Sequence, residues 1–179
     1  GLASAEMTRM DGELREQAFL AVDWFRAHIP GFAACFLVDA GGRVGVRAGR
    51  GIVGEDTLTP ESLADETPVS EPVGLTARSY GGHYLERFDP PWQHHQAGVR
   101  GLPRGVLVPV SFDNVTAGGR ALSCDARVID SVRLMARCLV SGQAAGVMAA
   151  QAARNRLPVA ELPYAAVRTE LLAQGAILE

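Results

Sequence analysis

The chain has 179 residues, of which 47% are hydrophobic, and a formal net charge of −3. These values indicate one globular domain, or one large piece of a bigger protein, with enough apolar side chains for a core. The charge gives no indication of a nucleic acid or an anionic membrane as partner. The 17 basic residues are all arginine, which excludes a Schiff-base lysine and a P-loop lysine.

The cysteines and the N-terminal residues indicate the cellular compartment in which the protein is expected. Cys35, Cys124 and Cys138 lie far apart without a C-x-x-C pair, which favours a reducing compartment over a disulfide framework. No basic segment precedes an apolar segment at the start, so no signal peptide is predicted. The longest uncharged run, residues 138–153, is too short to span a bilayer. We therefore expect a soluble, cytoplasmic protein without membrane association.

The first half of the chain shows one long helical pattern and then short elements. Helical spacing of apolar residues predicts a helix over residues 11–28. Residues 34–38 and 44–47 are predicted to form two strands of a hairpin around a glycine-rich turn. Thr59 and Pro60 predict a helix start, with an N-cap hydroxyl and proline at the first helical position.

The second half is predicted to hold the larger elements. Residues 66–105 are expected to form long loops with short strands, and residues 106–110 and 114–117 are strand candidates. A long helix is predicted over residues 131–154, and an amphipathic helix closed by a glycine over residues 163–173.

The long helix carries two notable features. Gly142, Gly146 and Ala150 recur every four positions, which predicts a face that another backbone can approach closely. With Ser131 as N-cap, Arg133 is expected in the first turn, where a cation opposes the helix dipole. On that placement, Arg133→Ala would leave folding nearly unchanged.

Residues 49–54, “GRGIVG”, match the G-x-G-x-x-G dinucleotide pattern. The pattern works only where a helix opens directly after the glycines, so that its N-terminus meets the pyrophosphate. Here Glu55 and Asp56 follow, and the next helix start is at Thr59. We therefore interpret the match as accidental and regard a free-standing NAD-binding domain as a poor hypothesis.

Other chemically suggestive side chains are weak candidates. Neither His83 nor the adjacent His94 and His95 has a third ligand at zinc spacing, so no metal site is predicted. Cys124 lacks a positive neighbour at a fixed spacing that would stabilise a thiolate. Catalytic residues therefore stay unknown.

A larger pattern lies in residues 114–153, “NVTAGGRALSCDARVIDSVRLMARCLVSGQAAGVMAAQAA”. This run resembles the final segment of FAD-dependent oxidoreductases of the glutathione-reductase-like type, where a last strand ends in a glycine pair beside the flavin. “DGELREQAFLAVDWFRAHIPGF”, “VGVRAGRGIVGEDTLTPE”, “LPRGVLVP” and “LLAQGAIL” resemble further segments of that family in the same order.

The resemblance implies an α/β fold, the C-terminal part of a flavoprotein of the two-dinucleotide-binding type. Residues 1–105 would be a substrate-side segment with substrate-domain strands. Residues 106–179 would supply the last strand and long helix of the FAD-binding domain. The N-terminal segment with the family's FAD fingerprint is not in this sequence, and about two-fifths of a usual member is represented. An N-terminal portion or a separate subunit is therefore an expected partner, and the chain is expected to be an oligomer.

The resemblance also implies site residues and an activity. Gly119, Arg120, Val132 and Arg133 would bind FAD. The implied reaction transfers hydride or electrons between a small organic substrate and FAD. The long helix would direct its positive N-terminal pole at the flavin.

Two arginines are candidates on the substrate side. Arg47 and Arg50 carry guanidinium groups whose geometry suits a substrate carboxylate. An ordinary solvated pair is the equal alternative at these two positions.

Two departures from the family pattern support an alternative function. The loop that usually carries a histidine reads “SCDARVID”, and Asp130 stands where a glycine is common. A carboxylate there would oppose negative charge on the flavin. The alternative is a non-catalytic partner or binding module that has kept the fold but not the cofactor.

Overall fold

The computed structural model describes residues 3–47, 49–78 and 98–178. His83, His94 and His95 lie outside these residues. The chain divides into two compact units, Gly1–Gly49 and Arg50–Glu179. This division concerns compactness and does not test the predicted boundary between residues 105 and 106, which stays a prediction.

The first unit consists of a long helix and a segment that returns along it. Helix α1 spans Ser4–His28, so it starts earlier than the sequence predicts and ends where expected. The expected hairpin over residues 34–38 and 44–47 is wrong, because the structure has no strand there. The returning backbone is instead bonded to helix side chains: Arg26 Nε donates to Cys35 O at 2.8 Å and Arg15 Nη2 to Gly41 O at 3.3 Å.

The second unit begins with a short helix, α2, spanning Pro60–Ala64. The predicted start is confirmed, since Ser62 N donates to Thr59 Oγ1 at 3.1 Å and Thr59 N to Ser62 Oγ at 2.8 Å. This reciprocal capping box satisfies two backbone donors that the helix itself leaves unpaired.

The sheet of the described residues has two antiparallel strands, β1 (Pro72–Ala77) and β2 (Val99–Pro103). Leu75 pairs with Gly101, and the register is irregular between Pro72 and Leu75. The mixture of helices with a small sheet is compatible with an α/β flavoprotein.

Two expected strands are absent from the described part of the second unit. Within residues 106–110, Val106 and Leu107 belong to a 3-10 turn, Arg104–Leu107, and Pro109 forms an isolated bridge with Gly54. Residues 114–117 form no strand, although Ala117 N donates to Leu107 O at 2.9 Å. Apolar runs of this length fit a buried turn as well as a strand, and a strand needs a neighbour with which to pair.

The predicted long helix is two helices. Helix α3 spans Ile129–Val132, and α4 spans Met135–Asn155. Leu134 separates them with extended dihedrals of −70° and 150°. The expectation of one helix with Ser131 as N-cap is therefore wrong.

The last helix, α5, spans Tyr164–Ala173 and confirms the predicted tail helix. Gly175, with φ of +80°, supplies the left-handed residue that ends it, and its N–H donates to Leu172 O at 3.0 Å. Helix α4 packs on β1 and α5. The core of the unit lies beneath α4 and includes Val106, Leu107, Val128, Ala144, Met148, Val167 and Leu171.

Candidate functional site

The beginning of α4 presents unpaired backbone donors. Cys138 N donates to Leu134 O at 2.9 Å, which closes the first helical turn. In the described part of the chain, the N–H groups of Met135, Ala136 and Arg137 have no acceptor, and no side chain caps the helix. These donors and the helix dipole together favour a negatively charged group at this end.

The side chains around this helix start are apolar and open to solvent. Leu134, Met135 and Leu139 are 49%, 84% and 74% exposed. Exposed apolar side chains beside free amide donors suit a ligand that combines a flat apolar ring with a polar edge.

The glycine turn predicted to line the cofactor lies directly on α4. A Cβ at Gly118 would lie 3.0 Å from Ser141 O, which shows how closely the turn approaches the helix backbone. Gly119 has a φ of +62° and begins a 3-10 turn, Gly119–Ala121, in which Arg120 is exposed. Residues with a side chain rarely adopt this conformation, so it favours glycine here.

The structure places the other two predicted FAD residues beside the start of α4, but not in its first turn. Val132 is the last residue of α3 and is buried. Arg133 is the C-cap of α3, and its Nε forms a hydrogen-bonded ion pair with Asp130 Oδ1. The guanidinium therefore neutralises the carboxylate that the sequence places near the flavin. The role of both residues in FAD binding stays a prediction.

Arg137 is the cation that occupies the first turn of α4, and the sequence analysis missed it. Among the described residues its guanidinium has no carboxylate or carbonyl partner. Burial lowers the pKa of the Arg137 guanidinium, so water is partly removed from this charge. A partly desolvated cation at the positive end of a helix dipole is unfavourable unless an anion lies near it. Nothing in the sequence marks the α3–α4 break that moves Arg137 into this turn.

The “GRGIVG” segment is confirmed not to open a helix. It runs extended along two neighbouring segments, with Ile52 N donating to Ala121 O at 2.9 Å and Val110 N to Val53 O at 3.0 Å. A Cβ at Gly54 would lie 2.7 Å from Gly105 O, so this glycine serves close backbone packing.

The substrate-side candidates are both exposed. Arg47 belongs to the first unit and Arg50 to the second. Their binding of a substrate stays a prediction.

The remaining candidates show no reactive or metal-binding arrangement. Burial, and secondarily Asp125, raises the pKa of the Cys124 thiol to about 11, which agrees with an unreactive cysteine. The described residues contain no group of histidine, cysteine and carboxylate side chains suited to a metal ion. Nor do they include a helix that is long and apolar enough to cross a membrane.

Comparison with models of protein families shows to which family the chain belongs. The model of the family described as FAD dependent oxidoreductase matches residues 2–171. This chain belongs to that family. The family implies FAD as cofactor and an oxidoreductase function. No curated protein and no solved structure is found to match the chain.

The residues at the start of α4 fit FAD. Its isoalloxazine ring is flat and apolar apart from a polar pyrimidine edge, and its pyrophosphate is anionic. The amides of Met135 and Ala136, which have no acceptor among the described residues, suit either the polar edge or the pyrophosphate, and Arg137 adds a positive charge. Leu134 offers apolar surface beside them.

Proposed function

We propose that this chain is the C-terminal part, or a subunit, of a larger FAD-dependent oxidoreductase of the glutathione-reductase-like type. It would transfer hydride or electrons between a small organic substrate and FAD. The observation that carries the proposal is the first turn of α4, where the amides and the partly buried Arg137 guanidinium have no partner among the described residues.

The FAD-binding role falls to residues 106–179 in this proposal. Gly119 and Arg120 would line the ribityl or pyrophosphate portion of FAD, and Val132 and Arg133 would meet its isoalloxazine ring. FAD, when bound, supplies the centre that accepts and releases a hydride.

The protein's own contribution is electrostatic and steric. The α4 amides would bind and orient the pyrimidine edge of the cofactor, and Arg137 would stabilise the negative charge that develops there on reduction. Leu134 and Met135 exclude water from the ring.

The substrate-side role falls to residues 1–105, in which Arg47 and Arg50 would bind an anionic group of the substrate. An N-terminal portion or a second polypeptide would complete the FAD site, and the assembly would be a cytoplasmic oligomer. These points rest on the family resemblance of the sequence.

The alternative is a module that has kept the fold without the cofactor. One argument for this alternative is electrostatic, since the negative charge of Asp130 would oppose negative charge on a nearby flavin. The ion pair between Asp130 and Arg133 weakens that argument. The alternative is therefore one possible outcome of an FAD-uptake experiment.

The test is FAD uptake, measured on the protein together with any flanking sequence or partner that completes it. We expect a yellow complex with a flavin spectrum. A correctly folded, colourless complex that takes up no added FAD would favour the non-catalytic module.

A matched pair of variants locates the cofactor on α4. Arg137→Ala removes the cation of the first turn, and Arg154→Ala removes an exposed arginine in the last turn of the same helix. We expect Arg137→Ala to weaken FAD binding about tenfold, as for loss of one charge-assisted contact. Arg154→Ala should bind FAD as the wild type does. Equal affinity in both variants would place the cofactor away from this turn.

A further inference from the structure

We propose that Ser141 is a positioning residue of the FAD site, which holds the Gly118–Gly119 turn against the beginning of α4. The inference rests on the proposed function, because it concerns two elements to which that function assigns the cofactor. Ser141 itself need not touch the cofactor.

The hydroxyl of Ser141 connects the two elements. Gly119 N donates to Ser141 Oγ at 2.8 Å, and Ser141 Oγ donates to Arg137 O at 2.8 Å. A chain of hydrogen bonds thus runs from the glycine turn through Ser141 to the first turn of α4. The side chain is 0% exposed, so water does not compete for these bonds.

Serine at position 141 makes α4 itself less stable than alanine would. Alanine is the better helix former, and a serine hydroxyl that bonds back to the carbonyl four residues earlier slightly weakens a helix. The compensation visible in the structure is the amide of Gly119, for which Ser141 Oγ is the acceptor. Loss of the hydroxyl would leave this backbone donor without its partner.

The turn lies close to the helix backbone, where the Ser141 hydroxyl is bonded to the turn itself. A Cβ at Gly118 would lie 3.0 Å from Ser141 O and 3.2 Å from Gly142 N, so the turn rests on bare helix backbone. The directional bond from Gly119 to Ser141, together with that from Thr116 Oγ1 to Ala145 O at 3.2 Å, sets the place of the turn along the helix.

This arrangement assigns different tasks to the residues of the turn. The Gly119 amide is bound to Ser141 and therefore does not serve the cofactor. Its left-handed conformation directs the chain so that Arg120 is exposed. Ser141 thereby holds Arg120 and the first-turn amides of α4 in one fixed relation, which pre-organises the site for an anion.

The experiment compares Ser141→Ala with Ser131→Ala in the complete protein. Ser131 on α3 is also buried, and its hydroxyl has no partner among the described residues. It therefore controls for loss of a buried serine oxygen. We expect Ser141→Ala to bind FAD about tenfold more weakly, the size expected for one lost hydrogen bond. The reduction potential of its bound FAD should be lower, and the Gly119 amide should exchange faster. Ser131→Ala should match the wild type in FAD affinity, in reduction potential and in the exchange rate of the Gly119 amide.

Each outcome bears on the inference. If Ser141→Ala keeps the affinity and potential of the wild type, or if both variants lose affinity equally, Ser141 is not a positioning residue. Should Ser141→Ala fail to fold, Ser141→Cys keeps the size and weakens the acceptor, and wild-type affinity in that variant overturns the inference. Failure of the proposed function is a separate result, because the wild type would then take up no FAD.

Discussion

Arg133→Ala tests the electrostatic arrangement between α3 and α4. Arg133 and Asp130 form an ion pair whose side chains are only 17% and 18% exposed. Exposed pairs contribute less than about 1 kcal/mol, whereas breaking a fully buried pair costs about 3–5 kcal/mol. This half-buried pair lies between these limits, so we expect a loss of about 1–2 kcal/mol. The melting temperature would fall by about 3–8 °C.

This expected loss of stability differs from the sequence-based prediction that Arg133→Ala leaves folding nearly unchanged. A first-turn position would make Arg133→Ala neutral or slightly stabilising, but that position belongs to Arg137. The alanine variant leaves Asp130 without its arginine in a poorly hydrated place. Urea denaturation of the variant measures the cost.

The control for this measurement is Arg9→Ala, which breaks a pair with Glu13 whose side chains are 61% and 53% exposed. Its cost should stay below about 0.5 kcal/mol. In the double variant Asp130→Ala/Arg133→Ala, the loss should be smaller than the sum of the two single losses. Equal stability of Arg133→Ala and Arg9→Ala would refute this account of the pair.

Three further outcomes are expected. Because the pKa of Cys124 is raised to about 11, its thiol stays protonated at pH 8 and should react with iodoacetamide more slowly than in urea, as peptide mass spectrometry would show; equal rates would contradict the burial argument. Gly54→Ala should cost about 1–3 kcal/mol in urea denaturation, since its Cβ would meet backbone oxygen at 2.7 Å, whereas Gly142→Ala, with nothing within 4 Å, should be neutral or stabilising; the opposite order would refute the packing argument. The open glycine stripe of α4 should make the isolated chain self-associate, and light scattering that shows a monomer at high concentration would contradict this.

The elements predictable from the sequence are those whose signals are local. Thr59 and Pro60 mark the start of α2, and Gly175 marks the end of α5. A capping hydroxyl, a proline at the first position and a left-handed glycine act on neighbouring residues, so they need no knowledge of the fold.

The elements that could not be predicted depend on distant partners. β1 pairs with β2 across a long separation in the chain, and the apolar residues around Val106 form a 3-10 turn beside the isolated Gly54–Pro109 bridge instead of a strand. The break before α4 lies at Leu134, whose dihedrals are extended, and no spacing rule in the sequence marks it.

The elements that make up the candidate site were predictable from the sequence, whereas the contacts between them were not. The glycine pair and the helix after it were identified from the order of motifs. That Gly119 bonds to Ser141, and that Arg137 rather than Arg133 occupies the first turn of α4, depends on where the helix begins. A shift of one helical turn exchanges the residues that face a ligand.

Hydrogen exchange of the first-turn amides of α4, measured by NMR with and without FAD, tests the central claim most directly. The amides of Met135, Ala136 and Arg137 have no acceptor among the described residues, so they should exchange rapidly without cofactor. We predict that bound FAD slows their exchange and leaves the exposed last turn of α4 unchanged. Bound FAD that leaves these three amides unprotected would contradict the account.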